Sequence, residues 1–451
     1  MKELKVYQIF LIFLLLFVTF CIYIPILDAG YAPTDDWLML KSYSGALKKI
    51  SFNYVINTFT HFHEGLYHPL VTLSYSLEIG IFGFVPALFH FNNILLHLIN
   101  IFLVFLIFLR LSKDDYWIAF IVAALFALHP TRVEVTAWIS ARKDLLYAPF
   151  YLLSVLFYMK SYKKAFSYSP LNPFNLSVLF FILSCFSKSM AITLPFVLIL
   201  IDFYTDNFNK KKIKRYIPYF IISIIFVFVT FVSHYSTEIM MGDQRLYLTF
   251  FKVCINFINA HFNILFYLDK LILPINLYCI YPYFYDEFGS MPPWFIMYSP
   301  LVLYLMILFV CLSLKKTKVV FFGFMFFLIT MAPTSGIFPI GDFAVADRYT
   351  YVPYLGLFFV FAKLIGLLVK KFCFRFNTSN LLYLYTSVVI CVCLFVFAFL
   401  GYRSYKRVLD WENNTYGSPG NMLYYEFGIK KKTAQKLNIQ YETKNRYFEG
   451  S

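Results

Sequence analysis

The sequence predicts an all-α polytopic membrane protein with about eleven transmembrane helices. Two observations lead to this fold class. Of the 451 residues, 60% are hydrophobic and only 14% are charged, and a soluble domain could not bury so much apolar surface. In addition, apolar runs of about 15–25 residues recur along the chain, which is the length that a helix needs to cross a bilayer.

The apolar runs follow one another from the N-terminus to residue 400. We interpret them as spans at 6–27, 86–109, 117–130, 145–159, 174–187, 189–205, 217–235, 294–314, 319–333, 349–369 and 381–400. The first run follows a basic start, as in a signal peptide. It is as long as a full span and lacks a small-residue cleavage site, so we expect a retained anchor.

Three further segments have apolar residues at helical spacing but are too short or too polar to cross a bilayer. They are 36–50 and 70–82, both in the long first loop (28–85), and 250–273. In the last of these, polar residues at steps of three or four form one stripe: Lys252, Asn256, Asn259, Asn263, Tyr267 and Lys270. We expect all three segments to be interfacial helices on the non-cytosolic side.

The distribution of charge orients the chain. The net charge is +15, and the lysines and arginines are concentrated in the short loops on one side. By the positive-inside rule this side is cytosolic. The positive charge is therefore explained by topology and does not indicate nucleic-acid binding. The acids lie mostly on the opposite side: Asp28, Asp35, Asp36, Glu64, Glu78, Glu134, Asp144, Asp286, Glu287, Asp342 and Asp347. With an odd number of spans, we expect the N-terminus in the cytosol and the C-terminal tail outside.

Four groups of polar residues occur in the loops of the acidic side. Asp35 and Asp36 lie in the first loop, and two adjacent carboxylates are costly at a membrane surface. The other groups are His129, Arg132, Glu134, Arg142 and Asp144; Lys188; and Asp342, Asp347, Arg348 and Tyr349. Loops at membrane depth must line a cavity or pack inside protein, so we expect one shared pocket.

The second span carries a polar stripe of His90, Asn93, His97 and Asn100, spaced so that all four share one helix face. The stripe faces either the pocket or another helix, by interhelical hydrogen bonding. Structural alternatives apply elsewhere as well. Asp35–Asp36 is a helix cap in one alternative, Arg132 with Glu134 and Arg142 with Asp144 are ion pairs in a second, and Lys188 is an interfacial lysine in a third.

Four ordered blocks of sequence then resemble a known family. They are Tyr67-His68-Pro69-Leu70 with Phe89-His90-Phe91-Asn92-Asn93 and His97-Leu98-Ile99-Asn100; Ala127-Leu128-His129-Pro130 with 137–146; Ser187-Lys188-Ser189 with 190–195; and Ala346-Asp347-Arg348-Tyr349 with 350–353. Over residues 1–415 or so the chain resembles the membrane domain of the transmembrane-and-TPR protein O-mannosyltransferases and their bacterial relatives, within the GT-C superfamily.

The resemblance implies a GT-C-type transmembrane catalytic domain over 1–400. It also implies a short non-cytosolic tail over 401–451 that is similar to the first part of a TPR array. The implied activity is transfer of a single sugar, mannose or another hexose, from a polyprenyl-phosphate donor to an acceptor hydroxyl on the non-cytosolic face. The implied acceptor is a protein Ser/Thr or a lipid-linked glycan.

In that superfamily the acidic pair of the first outer loop is catalytic, which maps onto Asp35 and Asp36. One of them would remove the proton of the acceptor hydroxyl, or the pair would hold a divalent cation. The candidates for cations that stabilise the leaving phosphate are Arg348, Arg132, Arg142 and Lys188, with Arg348 first because its guanidinium can bind phosphate through two donors. Supporting residues are His129, Glu134, Asp144, Asp347, Tyr349, His90 and His97.

Other functions also fit a polytopic chain with charged loops. A transporter or lipid flippase is one, although the ionisable residues lie at one surface and no inverted repeat is visible. A ligase of lipid-linked glycans is another. The amino-acid composition is rich in Phe, Ile and Lys, which indicates an AT-rich genome. We therefore expect a bacterial inner membrane, with the active site facing the periplasm or exterior.

Overall fold

A computed structural model describes residues 5–32, 36, 39–40, 51–62, 66–163, 169–241, 250–279, 281, 293–337, 345–375 and 379–413. These residues are almost entirely helical, as the sequence predicts. The helices are α1 (Val6–Tyr23), α2 (Phe52–Thr60), α3 (Pro69–Phe82), α4 (Pro86–Leu111), α5 (Tyr116–Leu128), α6 (Arg132–Ala137), α7 (Arg142–Lys160), α8 (Pro173–Ser187), α9 (Leu194–Tyr204), α10 (Ile217–Met241), α11 (Phe250–Ile272), α12 (Pro293–Ser313), α13 (Lys318–Met331), α14 (Tyr354–Arg375) and α15 (Ser379–Asn413).

Short 3₁₀ turns connect several of these helices. Those used below are Ile24–Asp28, Ile139–Ala141, Ser189–Thr193 and Asp347–Thr350. The described part of the chain contains no β-strand, and an isolated antiparallel bridge joins Tyr281 to Val345. An all-α fold is therefore confirmed for these residues.

Four of the described helical segments are long and apolar enough to cross a membrane: Val6–Asp28, Pro86–Leu111, Ile213–Ser233 and Ser387–Glu412. Shorter apolar helices accompany them at Pro69–Phe82, Tyr116–Leu128, Pro173–Ser187, Ser189–Tyr204, Tyr298–Ser313, Lys318–Thr334 and Tyr354–Val369. The structure supports a multi-pass membrane protein. The count of eleven spans and the interfacial placement of helices stay predictions.

One continuous apolar core joins the helices, with buried residues from α4, α5, α7, α9, α13 and α14. Helices α13 and α14 approach closely at Gly323 and Gly356. A Cβ on Gly323 would lie 2.4 Å from the Gly356 carbonyl oxygen, and a Cβ on Gly356 would lie 2.3 Å from the Gly323 oxygen. The contact therefore requires glycine on both helices.

The two ends of the bundle differ in charge. At one end the loops are basic: Lys318 pairs with Asp206, and the guanidinium of Arg110 donates to the Leu156 carbonyl at 3.2 Å. Asp202 is buried there and accepts hydrogen bonds from the hydroxyls of Tyr158, Tyr162 and Tyr216. At the other end the loops before α3, after α5, after α8 and before α14 meet one another.

Two of the segments expected in the membrane interface are helices in the structure. One is α3, and the other is α11, whose polar stripe is buried in part. Asn263 Nδ2 donates to the Ser335 carbonyl at 2.9 Å, and the Tyr267 hydroxyl accepts from the Ala346 N–H at 3.0 Å. This part of the stripe binds protein. Of segment 36–50, only 36 and 39–40 belong to the described residues.

Helix α15 continues without a break across residue 400, where we expected the transmembrane domain to end. It ends at Asn413, and Ser404, Arg407, Val408 and Trp411 are buried against the bundle. Residues 414–451, most of the expected tail, lie outside the described residues.

Candidate active site

Asp36 is buried where the first loop meets the turn that precedes α7. Its Oδ1 accepts hydrogen bonds from the backbone N–H of Ser140 at 2.9 Å and from the Ser140 hydroxyl, and its Oδ2 accepts from the Ala32 N–H at 2.9 Å. These three donors fix the orientation of the carboxylate. Asp35, the other half of the expected catalytic pair, lies outside the described residues.

Glu134 and Arg348 join α6 to the turn before α14. Arg348 donates from Nη1 to Glu134 Oε1 at 2.5 Å, and its backbone N–H donates to Oε2 at 3.1 Å. The Arg348 guanidinium also lies 5.0 Å from the centres of the Trp138 and Tyr349 rings. Burial raises the pKa of Glu134, and the positive charge of Arg348 opposes this effect.

Asp144 and Lys188 form a second buried ion pair, between the first turn of α7 and the loop after α8. Lys188 Nζ lies 5.5 Å from the centre of the Tyr349 ring, so the two ion pairs adjoin. Burial lowers the pKa of Lys188 to about 8; the positive charges of Lys143 and Arg348 lower it further, and Asp144 opposes them. Lys188 therefore titrates close to physiological pH.

Lys188 and Arg348, the cations of these two ion pairs, line a small cavity of about 110 Å³. Three cations line it, Lys143, Lys188 and Arg348, and we call it the cation cavity. The remaining lining residues are Leu66, Tyr67, His68, Ser189, Met190, Thr230, Ser233, Thr334 and Tyr349. The loops that carry the four polar groups of the sequence thus meet at one end of the bundle. Asp36 of the first group binds Ser140, close to the second group. Lys188 of the third group pairs with Asp144, and Arg348 of the fourth pairs with Glu134, both in the second group.

The alternative ion pairs of the sequence do not form. Glu134 binds Arg348 rather than Arg132, and Asp144 binds Lys188 rather than Arg142. The reason is geometric, because residues two positions apart on a helix point in different directions. Both expected pairs have this spacing, within α6 and within α7.

Arg142 is fully buried and bound by protein groups. Its Nε donates to Asn93 Oδ1 at 2.9 Å, its Nη2 donates to the Phe89 carbonyl at 2.9 Å, and its Nη1 pairs with Glu78. The guanidinium also lies 4.4 Å from the centre of the Tyr75 ring. Arg142 therefore holds α3, α4 and α7 together.

Arg132 and His129 are also buried among protein partners. Arg132 donates from Nη1 and Nη2 to the Thr350 carbonyl at 3.1 Å and from Nη2 to the Thr350 hydroxyl at 2.7 Å. His129 Nδ1 lies 2.8 Å from the Thr131 hydroxyl and Nε2 lies 3.2 Å from the Leu271 carbonyl oxygen. Both residues attach the loop after α5 to neighbouring segments.

The polar stripe on α4 binds the loops at the same end of the bundle. His90 Nε2 lies 3.1 Å from the Gly30 carbonyl oxygen, and Asn93 donates to the Trp138 carbonyl at 3.2 Å. His97 Nδ1 lies 2.8 Å from the Tyr351 hydroxyl, which also accepts from Asn100 at 3.1 Å. The stripe also makes the interhelical contacts of the second alternative, because Asn93 accepts from Arg142 of α7 and Asn100 donates to the Leu145 carbonyl of α7 at 3.1 Å.

Asp347 does not line the cation cavity. Its Oδ2 lies 2.7 Å from Arg407 Nη2, and its Oδ1 accepts from the Tyr281 hydroxyl at 3.2 Å. Arg407 was not among the residues chosen from the sequence, because it follows the expected domain boundary. Its spacing of four from Trp411 on a helix was the available signal.

Lys143, His68 and Glu78 were also absent from the chosen site residues, although Lys143 and His68 lie inside the resembling blocks. In the part of the chain that the structure describes, no cluster of three or more His, Cys, Asp or Glu side chains could hold a metal ion. A cation held by the acidic pair would use Asp35 as well, which is outside this part.

Comparison with known proteins finds similar proteins that are named protein O-mannosyl-transferases. No family model matches the chain. A protein O-mannosyl-transferase of Caenorhabditis elegans is 24% identical over 357 residues, which is 77% of this chain and 47% of the relative. Protein O-mannosyl-transferase TMTC2 is 41% identical over 98 residues in Mus musculus (21% of this chain, 11% of the relative) and 34% identical over 157 residues in Homo sapiens (34% and 18%).

The chain spans less than half of the length of each of these relatives. The resemblance expected from the four sequence blocks is confirmed: this chain is similar to proteins named protein O-mannosyl-transferases.

Proposed function

We propose that this chain is an integral-membrane glycosyltransferase that moves one hexose from a polyprenyl-phosphate donor to an acceptor hydroxyl. The names of the similar proteins suggest mannose as the sugar and a protein Ser/Thr as the acceptor, and a lipid-linked glycan is the second acceptor class. The observation that carries the proposal is the cation cavity, in which Lys143, Lys188 and Arg348 converge at the end of the bundle where Asp36 also lies.

The reaction needs a base and a site for a leaving phosphate. The acceptor oxygen bonds to the anomeric carbon while the bond from that carbon to the phosphate oxygen breaks, and the bonding electrons stay on the phosphate. The acceptor proton moves to the carboxylate of Asp35 or Asp36. The acceptor thus becomes a glycoside, and the polyprenyl phosphate is released.

Fixed cations would stabilise the charge that grows on the phosphate. Such charges act strongly in a site that excludes water, because they need no reorganisation during the reaction. In our proposal Arg348 and Lys188 contact the phosphate, with Glu134 and Asp144 holding them in place. Arg132 and Arg142, whose guanidinium groups bind protein atoms, support the loops around the cavity.

The placement in the membrane is part of the proposal. The cation cavity lies at the end of the bundle opposite the basic loops of Arg110 and Lys318. By the positive-inside rule, the cavity then faces the periplasm or exterior of a bacterial inner membrane, with the N-terminus in the cytosol. The proposal also includes a divalent cation held by Asp35 and Asp36. Full activity of the purified protein in the presence of a chelator would exclude this cation.

The test is sugar transfer in membranes that contain this chain. Radiolabelled polyprenyl-phosphate hexoses are supplied to the wild type and to an Asp35→Asn/Asp36→Asn variant, and products are separated into protein and lipid fractions. Asp206→Asn, at the basic end, is the matched control. We expect transfer by the wild type and the control but not by the double variant. Absence of transfer from every donor by folded wild-type protein would overturn the proposal and favour a transporter or flippase.

A further inference from the structure

The last described turns of α15 lie against the loops of the cation cavity. Helix α15 packs on α6 and on the 3₁₀ turn Ile24–Asp28. Two of its residues are four positions apart, Arg407 and Trp411, and therefore share a helix face. Both are buried, although they follow the last strongly apolar part of the sequence.

Arg407 binds three separate segments of the chain. Its Nη2 lies 2.7 Å from Asp347 Oδ2 and 3.3 Å from the Tyr278 carbonyl oxygen, and its Nη1 donates to the Pro130 carbonyl at 3.1 Å. Asp347 is the first residue of the 3₁₀ turn Asp347–Thr350, and Arg348 is the second. By fixing the Asp347 carboxylate, Arg407 fixes the start of the turn from which Arg348 projects.

Trp411 reaches the same residue by a second route. Its ring stacks on the Trp138 ring, with centroids 6.3 Å apart and an interplanar angle of 29°. The Arg348 guanidinium lies 5.0 Å from the centre of the Trp138 ring. Trp138 therefore contacts both the end of α15 and the cation that lines the cavity.

We propose that Arg407 and Trp411 are positioning residues that hold the Arg348 guanidinium at the cation cavity, acting through Asp347 and Trp138. The inference rests on the proposed function and adds to it the end of α15 as part of the site. Neither Arg407 nor Trp411 is among the residues that line the cavity. Their effect on the reaction is to hold Arg348 in one geometry before the phosphate arrives.

The physical basis is the flexibility of arginine. Fixing a long side chain in one conformation costs entropy, and a guanidinium held before the reaction avoids that cost during it. The carboxylate of Glu134 holds one edge of Arg348, and the Trp138 ring supplies a flat surface. Without the contacts of Arg407 and Trp411, the turn Asp347–Thr350 and the Trp138 ring would each have more conformational freedom.

A double-mutant cycle tests this inference. The rate constant kcat is measured for the full-length chain in membranes, with polyprenyl-phosphate hexose as donor, for Arg407→Gln, Arg348→Lys and the double variant. Each rate is normalised to folded protein. We expect Arg407→Gln alone to lower kcat about tenfold, but less than about twofold when Arg348→Lys is already present, because coupled residues are not additive.

Milder variants keep the test valid if Arg407→Gln does not fold. Arg407→Lys and Trp411→Phe should each lower kcat several-fold, and each should lose that effect in the Arg348→Lys background. Lys406→Gln, which changes the exposed neighbour on the same helix, should have wild-type kcat in both backgrounds.

Full additivity of Arg407→Gln with Arg348→Lys, or wild-type kcat for Arg407→Gln and Trp411→Phe, would overturn this inference while leaving the proposed function intact. Absence of transfer by folded wild-type protein would overturn both.

Discussion

Glu134 and Arg348 are 214 positions apart in the sequence and form a two-point contact in the fold. The Glu134 carboxylate accepts from the Arg348 side chain at 2.5 Å and from its backbone N–H at 3.1 Å. The side-chain contact neutralises a buried charge, and the backbone contact fixes the turn before α14. Arg348 is thus held both at its guanidinium and at its backbone, which suits a cation that must bind a phosphate in one orientation.

The first prediction concerns the acidic pair. We expect Asp36→Asn to lower kcat by about 100-fold or more, because an amide cannot accept the acceptor proton. Asp35→Asn is measured beside it, and the variant with the larger loss identifies the base. Ser140→Ala, which removes one donor to Asp36, should cost only several-fold. Wild-type rates for both Asp35→Asn and Asp36→Asn, measured as radiolabelled product, would exclude a carboxylate base at this pair.

The second prediction concerns Arg348. Arg348→Lys keeps the positive charge but loses the planar, two-donor contact with phosphate and the stacking on Trp138. We expect about a tenfold fall in kcat, measured per amount of folded protein. Arg110→Lys, at the basic end of the bundle, is the matched control and should retain wild-type kcat. A wild-type rate for Arg348→Lys would mean that the guanidinium does not contact the phosphate.

The third prediction is a pH dependence set by Lys188. Its pKa is lowered to about 8, so the ammonium is charged below that pH and loses its charge as the pH rises through it. Transfer should therefore fall as pH rises through about 8. Lys188→Arg should abolish this fall, because a guanidinium stays protonated.

Unfolding would not explain such a fall. A lysine whose folded-state pKa lies below its unfolded value binds fewer protons in the folded state. Between about 8 and the ordinary lysine value of about 10.4, its contribution makes the folded state more stable as the pH rises. The groups that face Lys188 are Asp144, Lys143, Arg348, Tyr349 and Tyr147. A fall that persists in Lys188→Arg would assign the titration to another group.

The fourth prediction separates a structural arginine from a substrate-binding one. Arg142→Ala leaves the carboxylate of Glu78 partly buried without its partner, which typically costs about 3–5 kcal/mol. We expect this variant to lose folded protein, measured by size-exclusion chromatography in detergent. Glu78→Gln, which keeps a hydrogen-bond acceptor for Arg142, should be milder. A stably folded Arg142→Ala that lacks only transfer activity would instead place Arg142 at the phosphate.

The fifth prediction concerns the contact between α13 and α14. Gly356→Ala would place a Cβ 2.3 Å from the Gly323 carbonyl oxygen, so one of the two helices must shift. Overpacking of this kind costs about 1–3 kcal/mol, which should appear as a lower unfolding temperature. Gly366→Ala on the same helix is the matched control, since its Cβ would meet only Ile118 at 3.6 Å. Equal unfolding temperatures for the two variants would contradict the close contact.

Much of the candidate site could be predicted because buried charge is costly in a membrane. Ionisable residues next to apolar runs, such as Asp36, Glu134, Lys188 and Arg348, are visible in sequence without any knowledge of contacts. Their partners were not visible. Sequence proximity suggested Arg132 for Glu134, whereas the helix geometry of α6 directs those two side chains apart.

The sequence by itself determined the helical class, the apolar segments and the chemical types of the polar loops, because these depend on composition and on spacing along one helix. Only the tertiary structure decided which charges pair, that Lys143 and His68 line the cation cavity, and that Arg407 and Trp411 of α15 reach the neighbourhood of Arg348. These contacts join residues far apart in the chain, and packing of whole helices sets their distances, which no local pattern encodes.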